Sequence, residues 1–215
     1  MKDAAYISGQ IAKAGVLPVI NVPEVSLAVP LAKALMDGGM TALEITLRSD
    51  CSLAAIKNIK TAYPDFLVGA GTVLTQADAD AAIEAGADFI VSPGFDPELV
   101  AYCSSRGALI VPGCATPTEI QLAAKCGLTT LKFFPAELSG GVAAIKLLSG
   151  PFPKVRFVPT GGITFDNLGA YLATGKVLAC GGSFMANAEQ VKNGKFDQIC
   201  DSCKRALEIA ANARG

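Results

Sequence analysis

The chain has 215 residues, of which 51% are hydrophobic and 17% charged, a composition that supports a substantial core and excludes intrinsic disorder. The formal net charge is −1 and no cluster of lysine and arginine occurs, which argues against nucleic acid as a partner. No apolar run approaches the roughly 20 residues of a membrane span, and the N-terminus lacks the apolar stretch of a signal peptide, so we expect a cytoplasmic protein with no membrane partner.

Two residue types narrow the possible chemistry further. The chain contains no histidine, which excludes Ser-His-Asp and Cys-His hydrolases and histidine-based metalloproteases. Its seven cysteines are an odd number scattered through apolar segments, a pattern typical of reduced thiols. Cys200 and Cys203 form the only close pair, and without a second pair we interpret them as two thiols on one helix face rather than a zinc or redox site.

Strand-like and helix-like segments alternate along the chain after a helix predicted over residues 6–14. Eight strands are predicted, at residues 16–22, 42–47, 67–73, 89–92, 109–112, 130–134, 155–159 and 177–181. Each is followed by a predicted helix, at residues 23–37, 49–63, 76–85, 97–105, 118–125, 141–148, 166–173 and late in the chain. We expect Pro23 to begin the first of these helices and Pro30 to kink or break it.

Eight β-then-α units with nearly continuous apolar strands indicate a parallel sheet covered by helices. Eight is also the number of units that closes a TIM barrel. The sequence therefore predicts a single (β/α)8 barrel domain over residues 1–215 with an extra N-terminal helix. A doubly wound open sheet is the alternative, but it usually has fewer units. Barrel enzymes carry their sites at the C-terminal ends of the strands, so polar residues there are the candidates.

The second predicted strand, LEITLR (43–48), carries charge. Because strand side chains alternate between faces, Glu44, Thr46 and Arg48 share one face and the three apolar residues share the other. The apolar face should pack against the outer helices, so the acid and the arginine should point into the barrel. A solvated sheet edge is the alternative explanation for such charges, but a closed barrel has no edge.

The sixth predicted strand, LKFFPAE (131–137), places Lys132 on the same face as Phe134, among apolar residues. Desolvation disfavours a buried ammonium ion, and a neutral lysine amine is the nucleophile of Schiff-base chemistry. A structural ion pair between Lys132 and Glu44 is the simpler alternative, although that pair would still lie at the working end of the barrel.

Glycine-rich segments follow several strands. GAGT (69–72) ends the third strand, where glycine permits close approach and Thr72 offers a hydroxyl group. The segments 92–94 and 112–114 are interpreted as ordinary turns that also shape the mouth. Glycine pairs at 161–162 and 181–182 follow the seventh and eighth strands, where many barrels bind phosphate through backbone N–H groups. We therefore predict a phosphate site there.

Four of these segments, LEITLR (43–48), GAGTVL (69–74), LKFFPAE (131–137) and PTGGI (159–163), together resemble the 2-keto-3-deoxy-6-phosphogluconate (KDPG) aldolase family, which includes the 4-hydroxy-2-oxoglutarate (KHG) aldolases. The resemblance implies a class I aldolase, a carbon–carbon lyase of the Entner–Doudoroff pathway. It implies cleavage of KDPG to pyruvate and glyceraldehyde 3-phosphate, and of KHG to pyruvate and glyoxylate. A (β/α)8 barrel that forms a homotrimer, takes a small 2-keto acid and needs no metal or other cofactor is also implied.

The resemblance assigns roles by position. Lys132 becomes the Schiff-base lysine and Glu44 the general acid and base. The residues implied to bind substrate are Arg48, Thr72, Pro93, Phe134 and Thr160 around the pyruvyl half, and Gly161, Gly162, Gly182 and Ser183 around the phosphate. Asn21 falls where family members vary, so its contact with substrate is left open. The remaining alternatives are a phosphate-binding isomerase or synthase barrel and a catalytically silent barrel.

Overall fold

Eight parallel strands form a ring in the computed structural model, which describes residues 3–214. They are β1 (Val16–Ile20), β2 (Ala42–Thr46), β3 (Leu67–Gly71), β4 (Phe89–Val91), β5 in two pieces (Leu109–Val111 and Gly113–Cys114), β6 (Thr130–Phe133), β7 (Arg156–Pro159) and β8 (Cys180–Gly182). Pairing runs β5-β4-β3-β2-β1-β8, and the second piece of β5 continues it as β5-β6-β7. Parallel bridges between Phe157 and Val177 and between Thr160 and Gly181 close the ring. The predicted (β/α)8 barrel is confirmed.

Helices surround the ring, and several of them begin at capping residues. They are α1 (Ala4–Ala14), α2 (Ala28–Asp37), α3 (Ser52–Ala62), α4 (Gln76–Glu84), α5 (Pro97–Ser105), α6 (Pro117–Lys125), α7 (Gly141–Ser149), α8 (Phe165–Leu172), α9 (Ala188–Lys192) and α10 (Phe196–Arg214). Capping boxes at Thr75, Thr116 and Thr164 satisfy the first free N–H groups of α4, α6 and α8. No helix of the described residues is both long and apolar enough to cross a membrane.

The predicted start of the second helix at Pro23 is wrong. The backbone stays extended at Glu24, and a 3-10 turn, Val25–Leu27, leads into α2. The physical reason is tertiary, because the carbonyl of buried Val22 accepts hydrogen bonds from Ser49 Oγ and Cys51 Sγ, which follow the neighbouring strand β2. Pro30 consequently lies in the first turn of α2, where a missing N–H has no partner to lose, and α2 runs unbroken beyond it.

The end of the chain also departs from prediction. The eighth strand was predicted over residues 177–181, but β8 begins at Cys180 and ends at Gly182. Val177 makes only a single bridge, to Phe157, and the ladder with β1 begins at Cys180. The short helix α9 precedes the long α10 and was not predicted. An extra N-terminal helix was predicted, and α1 confirms it with an earlier start.

Two apolar layers lie on the two sides of the strand ring. Leu43, Ile45, Leu131 and Phe133 are fully buried in the layer shared with the outer helices, as the strand alternation predicts. The inner layer fills the barrel near its N-terminal end. Its members are Ile7, Ile11, Leu17, Ala42, Leu67, Phe89, Val91, Val111, Val158 and Ala179. Because Ile7 and Ile11 belong to α1, the N-terminal helix closes that end of the barrel.

A buried ion pair links α3 to the start of β4. Lys60 Nζ lies 2.8 Å from Asp88 Oδ2, and it also donates to the carbonyls of Pro64 and Phe66. The same carboxylate oxygen accepts the N–H of Val68 in β3 at 2.9 Å. Only 15% of the Lys60 side chain and 8% of the Asp88 side chain are exposed.

We expect Asp88→Ala to destabilise the fold by about 3 kcal/mol, because it leaves a nearly buried lysine charge and a buried N–H without their acceptor. Urea-induced unfolding measures the loss. The matched control is Asp37→Ala, which removes an exposed helical ion pair with Lys33 and should change stability little. Equal losses in the two variants would contradict this account of the Lys60–Asp88 pair.

Candidate active site

Lys132 and Glu44 meet inside the barrel. Lys132 Nζ lies 3.5 Å from Glu44 Oε1, and the two residues are only 6% and 2% exposed. They come from β6 and β2, which are not neighbours in the ring, and both border a small void that is otherwise lined mainly by the inner apolar layer. The Lys132 ammonium also lies 5.3 Å from the centre of the Phe134 ring. Glu44, predicted on an interior strand face, is therefore brought together with the lysine of the sixth predicted strand.

One oxygen of the Glu44 carboxylate faces the Lys132 side chain. Among the described residues, Glu44 Oε1 is a buried oxygen with no hydrogen-bond partner, although the lysine charge faces it. The position of this oxygen beside Lys132 Nζ suits proton exchange between the two groups. An added Cβ at Gly71 would lie 2.1 Å from the same oxygen, so glycine in β3 makes room for the carboxylate.

A cavity of about 330 Å³ lies at the C-terminal ends of the strands. Neither Lys132 nor Glu44 lines it, but Thr46 and Phe134, each two residues further along the chain, do. Its polar and charged lining comes from Asn21, Thr46, Arg48, Thr160 and Ser183, together with backbone of the loops after β7 and β8. Of the residues predicted to bind substrate, seven line this one cavity: Arg48, Phe134, Thr160, Gly161, Gly162, Gly182 and Ser183. These seven are half of the residues that line the cavity. Strand periodicity pointed to Arg48 and the loop glycines to the segments after β7 and β8, whereas the pocket roles of Phe134 and Thr160 were implied by the family resemblance.

Thr72 and Pro93, the other two residues predicted to bind substrate, do not line the cavity. Thr72 does not line it, but its Oγ1 accepts a hydrogen bond from Arg48 Nε at 3.3 Å. Thr72 also has a φ of 62°, an outlier for a β-branched residue of the kind that concentrates at functional sites. Pro93 is outside the cavity wall. Its carbonyl instead packs on Gly113, where an added Cβ would lie 2.0 Å from the Pro93 oxygen.

Sequence reasoning missed part of the cavity wall. Thr46 is 3% exposed and lines the cavity beside Arg48; its position two residues after Glu44 on the same strand face was the available signal. Asn21 lines the cavity too, although no contact had been assigned to it. The apolar contributions of Ile163 and Ala186 follow from the course of two loops and had no signal in the sequence.

The two glycine loops pack tightly against each other at one side of the mouth. Gly161 and Gly162 have φ values of 98° and 85°, which L residues rarely adopt. The Thr160–Gly181 bridge brings the loops together, and an added Cβ at Gly181 would lie 2.5 Å from Thr160 Oγ1. Backbone N–H groups in such glycine loops suit an anion because no side chain blocks their approach.

The cysteines take no part in this site. All seven thiols are free, as predicted, and burial raises the pKa of the Cys203 thiol to about 12. Cys200 and Cys203 are three residues apart in α10 and share one of its faces. Within residues 3–214, no group of three or more His, Cys, Asp or Glu residues is placed to hold a metal ion.

Comparisons with known proteins agree with this geometry. Residues 7–202 match the sequence profile of the family described as KDPG and KHG aldolase. The chain is 47% identical over 194 residues to the 2-dehydro-3-deoxy-phosphogluconate aldolase of Treponema pallidum, covering 90% of this chain and 92% of the relative.

Solved structures of similar chains show the same fold. A KDPG aldolase from Legionella pneumophila, with pyruvate captured as a covalent carbinolamine intermediate, superposes with a TM-score of 0.89 at 38% identity, covering 92% of this chain and 96% of that one. The aldolase of Zymomonas mobilis ZM4 with 3-phosphoglycerate superposes with a TM-score of 0.86 at 40% identity, covering 93% and 94%. With its barrel, its buried lysine–glutamate pair and a profile match over most of its length, the chain belongs to the KDPG and KHG aldolase family.

Proposed function

We propose that this protein is a class I aldolase that cleaves KDPG to pyruvate and glyceraldehyde 3-phosphate. The observation that carries the proposal is the buried Lys132–Glu44 pair beneath the mouth cavity, in a chain of the KDPG and KHG aldolase family. KHG, which lacks a phosphate and yields pyruvate and glyoxylate, is the second substrate, because the family includes aldolases for it. A phosphate-binding isomerase or synthase would have no need of an interior lysine beside a carboxylate.

The first step is imine formation. Glu44 Oε1, 3.5 Å from Lys132 Nζ and without another partner among the described residues, accepts a proton from the ammonium and leaves a free amine. The amine attacks the C2 ketone to give a carbinolamine. Glu44 returns the proton to the departing hydroxyl group, which leaves as water, and the protonated imine remains on Lys132.

Carbon–carbon cleavage uses the imine as an electron sink. Glu44, now a carboxylate again, removes the proton of the C4 hydroxyl group directly or through a water molecule. The C4 oxygen forms the aldehyde carbonyl, the C3–C4 bond breaks, and its electron pair moves into the imine to give an enamine. Glyceraldehyde 3-phosphate departs. Protonation of the enamine at C3 and hydrolysis of the resulting imine release pyruvate and restore the Lys132 amine.

The remaining wall of the cavity holds the two ends of the substrate. Arg48, held by Thr72, provides a planar cation that matches a carboxylate, so it binds the pyruvyl carboxylate at the mouth. Phe134 and Thr160 border the reacting carbons from β6 and β7, and Pro93 shapes the neighbouring turn. Backbone N–H groups around the two glycine loops receive the phosphate, with the Ser183 hydroxyl beside them.

We also infer from the family resemblance that the chain acts as a single barrel domain in a cytoplasmic homotrimer, without a metal or other cofactor. The charge and composition of the chain support a small-molecule substrate rather than nucleic acid. Analytical ultracentrifugation measures the oligomeric state, and a mass other than that of three chains would contradict the trimer.

Reduction with borohydride in the presence of pyruvate should inactivate the enzyme and add the mass of one reduced pyruvyl group at Lys132, because borohydride reduces an imine to a stable amine. Peptide mass spectrometry locates the adduct. Lys132→Ala should give no adduct, whereas Lys146→Ala, a change at an exposed lysine of α7, should behave like the wild type. An adduct on another lysine, or none, would contradict the mechanism.

Glu44→Gln should lower kcat for KDPG by about 10²- to 10⁴-fold, the usual contribution of one positioned acid–base group. The amide keeps the size of the side chain but does not exchange protons, so pyruvate should still bind, as calorimetric titration can measure. Undiminished turnover would remove Glu44 from its assigned role.

Gly71→Ala should lower kcat strongly while leaving the phosphate-binding loops in place, since the new methyl group would occupy the position of the Glu44 carboxylate. We expect a decrease of about 10²-fold from this displacement. The matched control is Gly94→Ala, where an added Cβ meets nothing within 4 Å. Steady-state kinetics with KDPG compares the two, and similar activity in both would show that Gly71 does not position Glu44.

A further inference from the structure

The loops after β6 and β7 are joined beyond the ends of their strands. The N–H of Ala136 donates to the Thr160 carbonyl at 2.8 Å, and the N–H of Glu137 donates to the Gly161 carbonyl at 3.1 Å. These bonds continue the strand ladder into the cavity mouth. The loop that contains the glycine pair, residues 160–163, therefore lies directly on the segment that follows Lys132 and Phe134.

The Glu137 side chain extends this contact away from the cavity. Its Oε1 accepts a short hydrogen bond from the hydroxyl group of Tyr171 in α8. Tyr171 is fully buried, and burial, with a smaller contribution from this bond, raises the pKa of its phenol above the ordinary value. The phenol accordingly stays protonated as a donor. The Glu137 side chain is thus held against α8, although Glu137 is solvent-exposed at the rim of the barrel.

Gly162 rests on this tied side chain. An added Cβ at Gly162 would lie 2.5 Å from Glu137 Cγ, so the aliphatic part of Glu137 supports the loop from behind. Asn167 Nδ2 donates to the Gly162 carbonyl at 2.9 Å. Since Asn167 and Tyr171 are four residues apart on α8, they lie on one helix face. One face of α8 thus holds the loop twice, directly through Asn167 and indirectly through Glu137.

Building on the proposed function, we propose that Glu137 and Tyr171 are positioning residues that fix the Gly161–Gly162 backbone in the shape that binds the substrate phosphate. Neither residue lines the cavity, so neither is a catalytic residue. Their hydrogen bond acts through the loop that rests on Glu137.

The physical reason lies in how backbone amides bind anions. N–H groups bind phosphate well only when they are already aimed at it, because ordering a loop during binding consumes part of the interaction free energy. Gly161 and Gly162 have no side chains that could hold their own positive-φ conformation. The restraint has to come from a neighbour, and Glu137 and Tyr171 supply it on the side away from the cavity.

The pyruvyl half of the substrate does not depend on this restraint. Lys132 and Glu44 lie within β6 and β2, and Arg48 follows β2 and bonds to Thr72. Loosening the glycine loop should therefore weaken phosphate binding while imine formation with pyruvate continues. This separation distinguishes a positioning role from a general loss of stability, which would affect both.

The test compares Tyr171→Phe with Tyr102→Phe. Tyr102 makes an equivalent hydroxyl–carboxylate bond to Asp80, at 2.6 Å, between α4 and α5. In Tyr171→Phe we expect KM for KDPG to rise by about tenfold, the effect of one lost hydrogen bond to a charged group. Inhibition by inorganic phosphate should weaken in parallel. The pyruvate concentration for half-maximal borohydride inactivation should stay unchanged, and Tyr102→Phe should leave all three quantities within about twofold of wild type.

Glu137 variants keep the test decisive if Tyr171→Phe folds poorly. Glu137→Ala should reproduce the rise in KM, and Glu137→Gln, which retains an acceptor oxygen for the phenol, should restore most of the phosphate affinity. An unchanged KM in Glu137→Ala, or equal losses of phosphate and pyruvate binding, would overturn the proposal. A wild-type enzyme that traps no pyruvate would instead contradict the proposed function, so the two failures are distinguishable.

Discussion

The rest of the molecule depends on a pair of opposite charges held almost completely out of water. Lys132 and Glu44 are less than a tenth exposed, and either one alone would leave an uncompensated charge in apolar surroundings. Their strands are separated within the ring, so the pair forms only because the barrel closes and turns the two interior faces towards each other. Helix α1 and the inner apolar layer then seal the N-terminal end, leaving the mouth as the approach for substrate.

The sequence predicted what local periodicity determines. Alternation in LEITLR put Glu44 on an interior face, alternation in LKFFPAE put Lys132 on one face with Phe134, and the repeated β-then-α pattern favoured a closed ring over an open sheet. The start of α2 could not be predicted this way. Pro23 satisfies the local rule for a first helical residue, but Ser49 and Cys51 bond to the Val22 carbonyl and hold that segment extended. Such long-range contacts have no period in the sequence.

The candidate site, like the fold, has parts that the local sequence predicts and parts that it does not. Glycine at strand ends correctly predicted the two loops that border the cavity, because glycine readily permits the positive φ of Gly161 and Gly162 and the close packing of Gly181. By contrast, Thr72 was assigned from the family resemblance, and its left-handed backbone has no sequence signal. Pro93 was expected in the pocket, yet its carbonyl packs on Gly113 outside the cavity wall. Which side of a turn faces a cavity is decided by neighbouring strands, and the turn sequence alone does not contain that information.

In the proposed mechanism, the residues that break bonds are separate from those that recognise the distal end of the substrate. Lys132 and Glu44 lie within strands that are paired on both sides, whereas the proposed phosphate side is loop backbone, which the ladder reaches only through the bonds from Ala136 and Glu137 to Thr160 and Gly161. A loop of glycines needs external support, and here it comes from the helix layer through Asn167 and through Glu137 with Tyr171. Because that support is attached behind the loop and not to the reacting pair, recognition of the substrate end could change during evolution without disturbing Lys132 and Glu44. A family that includes aldolases for both a phosphorylated and an unphosphorylated keto acid is what such an arrangement permits.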